Sequence, residues 1–225
     1  MLRLEGLDVA IGSVGILRGV NLAVGAGRFA GLIGRNGAGK TTLMRSIMGI
    51  LPWRAGAMEF DGRALARVPT HARAQLGIGY MPEDRRLIPE LTVEENVLLP
   101  AWSTHAPDAA GRLRRVYAMI PEVGNFAQRK ALQLSGGQQK LVALARALMC
   151  GDKLLLLDEP FEGLAPVLAH RLAEVIAGLR RAGLTVILSE SSVTHARELL
   201  DDIFVIDRGV VARSQSLAAT PISQS

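Results

Sequence analysis

The stretch Gly34-Arg35-Asn36-Gly37-Ala38-Gly39-Lys40-Thr41 has the residue types and spacing of a loop that wraps phosphates. Its glycines let successive backbone N–H groups turn inward, and a helix starting after them adds its positive N-terminal end. Lys40 would bring a point charge to the β- and γ-phosphates, the Thr41 hydroxyl would ligate Mg²⁺, and Thr42 would join the phosphate-binding set. Average composition produces such a match by chance on the order of once per hundred chains of this length. Here it also follows an apolar strand-like run, Arg28 to Ile33, and precedes a helical pattern of Leu43, Met44, Ile47 and Met48. The chemistry implied is binding of a magnesium nucleotide, with ATP the expected one.

Two other segments supply what hydrolysis needs. Leu154-Leu155-Leu156-Leu157-Asp158-Glu159 reads as a buried strand ending in two carboxylates. Neighbouring residues on a strand face opposite sides, so the pair can take separate tasks. Asp158 would hold Mg²⁺, and Glu159 would stand near the γ-phosphate as general base for water. Leu134-Ser135-Gly136-Gly137-Gln138 opens a helix with a serine and two glycines, which makes a second anion-binding helix end. One chain with a single nucleotide has no use for two phosphate grips. A neighbouring subunit would.

This order of motifs resembles the ATP-binding-cassette ATPases, from about Leu2 to Val211. The resemblance implies a phosphate-loop α/β fold with a mostly parallel sheet core, an N-terminal antiparallel β subdomain and an inserted helical subdomain. It implies two cassettes head to tail, each ATP lying between one chain's phosphate loop and the other's Ser135, Gly136, Gly137 and Gln138. In Tyr80-Met81-Pro82-Glu83-Asp84-Arg85-Arg86, Glu83 stands where most cassettes place a glutamine beside the nucleotide and its metal. Together with Gly163-Leu164-Ala165-Pro166, that segment looks like the branch serving branched-chain amino-acid importers, and in particular its second ATPase subunit. Urea, amide and aromatic-acid importers share much of the pattern. The implied partners are a second ATPase subunit, transmembrane permeases and, indirectly, an extracytoplasmic substrate-binding protein, with the chain on the cytoplasmic face of the inner membrane. The rivals are a lipid or lipopolysaccharide export cassette and a non-transport cassette, which would carry a long coiled-coil insertion or two cassettes in one chain.

The sequence departs from that pattern twice. Ile11 occupies the place of an aromatic under the adenine, so apolar contact replaces stacking. Ser191 occupies the place of a histidine that reaches the γ-phosphate, with His195 one helical turn later. A serine hydroxyl is shorter and does not titrate near neutrality. Slow turnover at this chain's own site is the expectation, a partner cassette supplying most hydrolysis.

These residues need a frame. Strand-like runs at Leu2–Val9 and Gly19–Val24 are broken by glycines, and Ala57–Phe60 runs into an Asp61-Gly62 turn. Thr92-Val93-Glu94-Glu95 forms a capping box, Ser103 to Ala110 reads as loop, and Gly111–Ala118 as a short helix before Pro121. Helix Gln138–Met149, strand Leu154–Leu157, helix Val167–Arg181, strand Leu184–Leu188, helix Val193–Asp201 and strand Ile203–Ile206 then alternate. Such alternation predicts a parallel sheet covered on both faces. A single domain is expected over residues 1–225, with the helical insertion at about 88–148 and a poorly ordered tail from 214.

Composition narrows the class. Hydrophobic residues at 49% with 21% charged fit a globular chain, and aromatics at 4% leave the core to Leu, Val, Ile and Ala. The net charge of +5 comes from scattered arginines, including Arg112, Arg114 and Arg115 on one helix face, so no nucleic-acid partner is expected. The lone Cys150 excludes an internal disulfide, and His71, His105 and His170 are too widely spaced to ligate a metal. The amino terminus alternates like a strand and carries no signal-peptide run, and no apolar stretch approaches the ~20 residues of a membrane span.

Overall fold

The computed structural model describes residues 1–194 and 196–213. His195 and the expected tail from 214 lie outside the described residues. In chain order the elements begin with β1 (Leu2–Ile11), β2 (Val14–Val24), β3 (Phe29–Ile33) and α1 (Lys40–Ile47). Next come β4 (Ala55–Phe60), β5 (Arg63–Ala64), α2 (Thr70–Gln75) and β6 (Ile78–Met81). Four helices follow: α3 (Val93–Thr104), α4 (Ala109–Met119), α5 (Pro121–Asn125) and α6 (Gly136–Leu148). The chain then runs through β7 (Leu154–Asp158), α7 (Pro166–Arg181), β8 (Thr185–Glu190), β9 (Asp202–Asp207) and β10 (Val210–Arg213).

Two sheets organise these elements. An antiparallel sheet has the order β2-β1-β4-β5, and the main sheet has the order β10-β9-β3-β8-β7-β6. In the main sheet β3, β6, β7, β8 and β9 are parallel and only β10 is antiparallel. Parallel strands need both faces covered, and β7 accordingly carries four consecutive leucines with no exposed surface. Each such leucine is worth about 2 kcal/mol of burial. One core lies between the sheet and α3 to α7, and a second between the sheet, α1 and the antiparallel strands. Phe29, Leu155 and Leu157 face the first, while Ala30, Leu32, Leu154 and Leu156 face the second.

Three sequence expectations need correction. Gly6 and Gly19 do not break the amino-terminal strands, because both take positive φ (56° and 55°) at shifts of register while β1 and β2 continue past them. The loop expected from Ser103 shrinks to residues 105–108. Thr104 Oγ1 donates back to the carbonyl of Pro100 at 2.7 Å, which carries α3 onward, and the Asp108 carboxylate accepts from Gly111 N at 3.0 Å to start α4. The helix expected over Val193–Asp201 is replaced by a single 3₁₀ turn, Arg197–Leu199. There Ser192 Oγ lies 2.7 Å from Thr194 Oγ1, a local alternative to helical bonding, and the Asp201 carboxylate accepts from Phe29 N at 2.8 Å to feed β9.

Several side chains settle into structural roles. The buried Asn96 amide accepts from Ile88 N at 2.8 Å and donates to the carbonyls of Ile88 and Thr92, both at 3.0 Å, fixing the loop that leads into α3. The capping box forms, with Glu95 N donating to Thr92 Oγ1 at 3.2 Å and Thr92 N to Glu95 Oε2 at 2.7 Å. Arg73 is buried under Trp53, 5.3 Å from the ring, and spends its donors on the carbonyls of Ser46, Ile47, Leu65 and Val68. Arg112 pairs with Asp152 at 3.1 Å and Arg115 with Asp108 at 3.4 Å. Burial pushes the Cys150 thiol up to about 11. Among the described residues no helix is long and apolar enough to cross a membrane.

Candidate functional site

The carboxyl ends of β3, β6, β7 and β8 open on one side of the sheet, where ligands of such folds bind. The phosphate loop leaves β3 there, and two of its glycines are obligatory. A Cβ on Gly34 would stand 2.2 Å from the Ile206 carbonyl oxygen of β9, and Gly39 holds φ at 113° with Leu17 packed against it. Gly37 also takes positive φ, 81°. The loop is clipped by Gly34 N donating to Glu190 O at 3.1 Å, Ala38 N to Arg35 O at 3.1 Å, and Gly209 N to Ala38 O at 2.9 Å. A cavity of about 430 Å³ lies over it, lined by Asn36, Gly37, Gly39, Lys40, Thr41 and Thr42, and closed by Ile16, Glu83, Glu159 and Glu162. Ile11 does not line this cavity. It sits 52% exposed beside the β1–β2 turn, and Ile16 supplies the apolar wall instead. A larger cavity of about 520 Å³ lies beside Trp53 and Arg73, whose donors are already spent, so it offers no comparable chemistry.

Lys40 is only 5% exposed. Its Nζ donates to the carbonyls of Gly34 at 2.6 Å and Arg35 at 3.2 Å, and pairs with Glu159 Oε1 at 2.9 Å. Asp158 is fully buried and ringed by hydroxyls. Its Oδ1 accepts from Ser189 Oγ at 2.6 Å and Thr41 Oγ1 at 3.2 Å, and its Oδ2 from Tyr80 OH at 3.1 Å. Burial, then the Asp158 charge, holds the Tyr80 phenol well above its ordinary range, so it remains a donor. Among the described residues no cluster of three His, Cys, Asp or Glu could hold a metal by itself. A nucleotide-bound Mg²⁺ fits differently. Adjacent ligands of an octahedral Mg²⁺ stand about 2.9 Å apart, close to the Thr41–Asp158 separation, and both are hard oxygens.

The strand alternation expected to separate the two carboxylates is not what separates them. β7 ends at Asp158, and Glu159 takes a left-handed backbone with φ 46°. Glu159 N donates to the backbone oxygen of Ser189 at 3.1 Å and to its hydroxyl at 3.2 Å. Ser191 meets the Glu159 carboxylate directly, its N–H donating to Oε2 at 3.2 Å and its hydroxyl lying 3.0 Å from Oε1. The same hydroxyl lies 2.8 Å from Asn36 Oδ1, which joins the serine to the phosphate loop. Glu83 is brought to the cavity wall, and its carboxyl is pushed up by burial first and then by Glu162, Asp158 and Glu159. Arg35 contributes backbone, and Gly34 and Ala38 are loop supports away from the cavity wall.

Ser135, Gly136, Gly137 and Gln138 are not brought to this cavity. Ser135 caps α6, its hydroxyl accepting from Gln138 N at 3.3 Å while Gln138 Oε1 accepts from Ser135 N at 2.9 Å. Gly136 lines a separate cavity of about 390 Å³ that shares Glu83 and Glu162 with the first. A Cβ on Gly137 would collide with Leu168 of α7 at 2.3 Å. Arg146, near the other end of α6, donates to the carbonyls of Arg86, at 2.7 Å, and Arg85. The Glu83 segment is therefore fastened to α6.

Sequence reasoning missed Ser189, Glu190, Tyr80, Lys140 and Ile16. Ser189 and Glu190 close a fully buried strand, where a polar pair among apolar residues is the available signal. Lys140 stands one residue before the apolar face of its helix, and nothing in its spacing marks it.

Fold and loop together define a phosphate-loop α/β protein whose Ser135–Gln138 helix end lies outside the cavity around Lys40. The ABC transporter family model matches residues 17–162. The branched-chain amino-acid transport ATP-binding protein BraG of Pseudomonas aeruginosa is 35% identical over 219 residues, 97% of this chain and 94% of that protein. The lipopolysaccharide export ATP-binding protein LptB of Escherichia coli is 32% identical over 196 residues, 86% of this chain and 81% of that one. A dimeric post-hydrolysis structure of the cassette MJ0796 bound to ADP and phosphate superposes with a TM-score of 0.86 at 27% identity, covering 97% of this chain and all of that one. The chain belongs to the ABC transporter family and is its ATPase domain.

Proposed function

We propose that this chain is the ATP-hydrolysing subunit of an importer for branched-chain or related amino acids. The observation that carries the catalytic part is one cavity lined by Lys40, Thr41 and Glu159, with Asp158 buried behind Thr41 and Lys40 paired with Glu159 at 2.9 Å. ATP phosphates draw the Lys40 ammonium off the carboxylate, since phosphate is the stronger and more highly charged partner. Thr41 and Asp158 would hold the Mg²⁺ that accompanies the nucleotide, which would offset the charge developing on the phosphates. Released from Lys40, Glu159 accepts a proton from the water that attacks the γ-phosphate, giving ADP and phosphate. Ser191, bonded to both oxygens of Glu159, orients it, and its hydroxyl stands in for the histidine expected at that position.

The rest of the reading is assembly. Ser135, Gly136 and Gly137 complete the site of a second ATPase subunit in a head-to-tail dimer, which ATP closes and product release opens. The strokes pass to transmembrane permeases at the cytoplasmic face through the Glu83 segment and the helical insertion, and the periplasmic binding protein is reached only through them. Amino-acid import is favoured by the BraG match across 94% of that protein. Lipopolysaccharide export is the second reading, favoured by the LptB match at 32%. Ser191 makes turnover at this chain's site the slower of two in a heterodimer.

The test is ATP turnover of the chain assembled with the permease and cassette subunits encoded beside it. Glu159→Gln is expected to keep ATP binding and to remove turnover at this site by at least about a hundredfold. Retention of most of the complex's rate supports the slow-site reading, whereas near-complete loss overturns it. Unchanged turnover in Glu159→Gln when the chain is assayed alone defeats the base assignment. Leucine uptake in vesicles supports import, and uptake-independent release of lipopolysaccharide supports the second reading.

A further inference from the structure

Helix α6 borders both the cavity beside Gly136 and the Glu159 turn of the chain's own site. Its first residues, Ser135 to Gly137, serve the partner's nucleotide in the reading above. Five residues after Ser135, about 7.5 Å along the axis, Lys140 enters the chain's own site. Its side chain is buried, and Nζ donates to the Glu159 backbone oxygen at 2.7 Å. That oxygen is available because Glu159 holds φ at 46°, a conformation that costs a non-glycine residue about 1–3 kcal/mol and must be imposed by its surroundings.

The surroundings impose it at three backbone points. Lys140 holds the Glu159 oxygen, Ser189 receives the Glu159 N–H, and the buried Glu190 carboxylate receives Phe161 N at 3.1 Å. Burial pulls the Lys140 ammonium down, while Glu190, Glu162 and Glu159 hold it up and Arg85 opposes them. A cation buried at this depth on a neutral carbonyl is expensive, and the Glu162 and Glu159 carboxylates nearby offset part of that cost. The catalytic mechanism does not use Lys140, yet the fold spends a buried charge on it.

We propose that Lys140 is a positioning residue that fixes the Glu159 turn to α6, so that the placement of the helix end gripping the partner's ATP sets the aim of this chain's own carboxylate. A rigid helix transmits displacement over five residues without loss, and the Lys140–Glu159 bond turns it into a change in the attack geometry. The inference rests on Glu159 as the base for water.

ATP turnover of the assembled dimer, with the partner cassette's own general base replaced by glutamine so that only this chain's site turns over, is measured for wild type, Glu159→Gln, Lys140→Met and Lys140→Arg, with ATP binding followed by a fluorescent nucleotide. Lys140→Met should lower kcat roughly ten- to a hundredfold, the size that a 1 Å misplacement gives, with KM for ATP within about twofold of wild type. The Hill coefficient for ATP should fall towards one, and Lys140→Arg, which keeps a donor, should recover much of both. A kcat and Hill coefficient unchanged in Lys140→Met overturn the inference, as does a parallel loss of binding and turnover. If Lys140→Met does not fold, Lys140→Leu takes its place under the same criteria. Persistence of turnover in Glu159→Gln overturns the base assignment itself, whatever the Lys140 variants do.

Discussion

Lys40 and Glu159 are paired at 2.9 Å, each supplying the charge that the other would leave uncompensated in a site only about 5% exposed. The phosphate loop and Asp158 were legible in the sequence because their chemistry is local: glycines at fixed offsets, and a carboxylate at the end of an apolar strand. The grip on Glu159 was not legible, since Ser189, Glu190 and Lys140 reach it from a strand and a helix distant in sequence. Glu190 gives this scale its prediction. Burial, with the Glu159 carboxylate beside it, outweighs Lys140 and the Phe161 N–H, and its carboxyl is pushed up from 4.5 to about 8. Between those values the folded chain holds a proton that the unfolded chain has lost. Stability contributed at low pH is therefore lost as pH rises through that window. Thermal unfolding from pH 5 to pH 8.5 should show Glu190→Gln with a flatter decline than wild type, and an identical slope would refute the assignment.

At the scale of elements, the alternation of apolar strands with amphipathic helices gave the parallel sheet, and the turn at Asp61-Gly62 gave the β4–β5 hairpin. What escaped were ends and interruptions decided by single side-chain bonds: Thr104 on Pro100, Asp108 on Gly111, Asp201 on Phe29. Asn96 belongs to the same class. Its amide satisfies the N–H of Ile88 and two carbonyls inside the protein, a task no periodicity reveals. Asn96→Ala would leave the Ile88 N–H unpaired, while the two carbonyls keep the backbone donors Leu91 N and Asn96 N, at about 1–3 kcal/mol, or roughly 2–12 °C in Tm for a chain of this size. A calorimetric Tm within 1 °C of wild type would rule this out. Because the Asn96 loop leads out of the Glu83 segment, the variant should also show faster amide exchange at residues 83–92.

For the whole molecule, the loop around Lys40 and the helix end at Gly136 line different cavities, and Val167 stands 80% exposed at the start of α7, just after Gly163-Leu164-Ala165-Pro166. In the proposed head-to-tail dimer, each such helix end completes the site of the other subunit. Glu159→Gln with ATP should sediment as a dimer together with its cognate cassette, and Ser135→Arg, which fills the helix end with a bulky cation, should return it to monomer. Sedimentation unaffected by Ser135→Arg would place the contact elsewhere. Watching that association needs reporters, and the chain already provides a quiet background for them. Its one thiol, Cys150, is kept protonated at neutral pH and donates weakly to the carbonyls of Ile78 and Ala147, both 3.8 Å away. Thiolates, not thiols, react with maleimides and spin labels. A cysteine introduced on any open surface of this protein would be modified far ahead of the native one, so distances between protomers can be followed spectroscopically without first removing a residue from the fold.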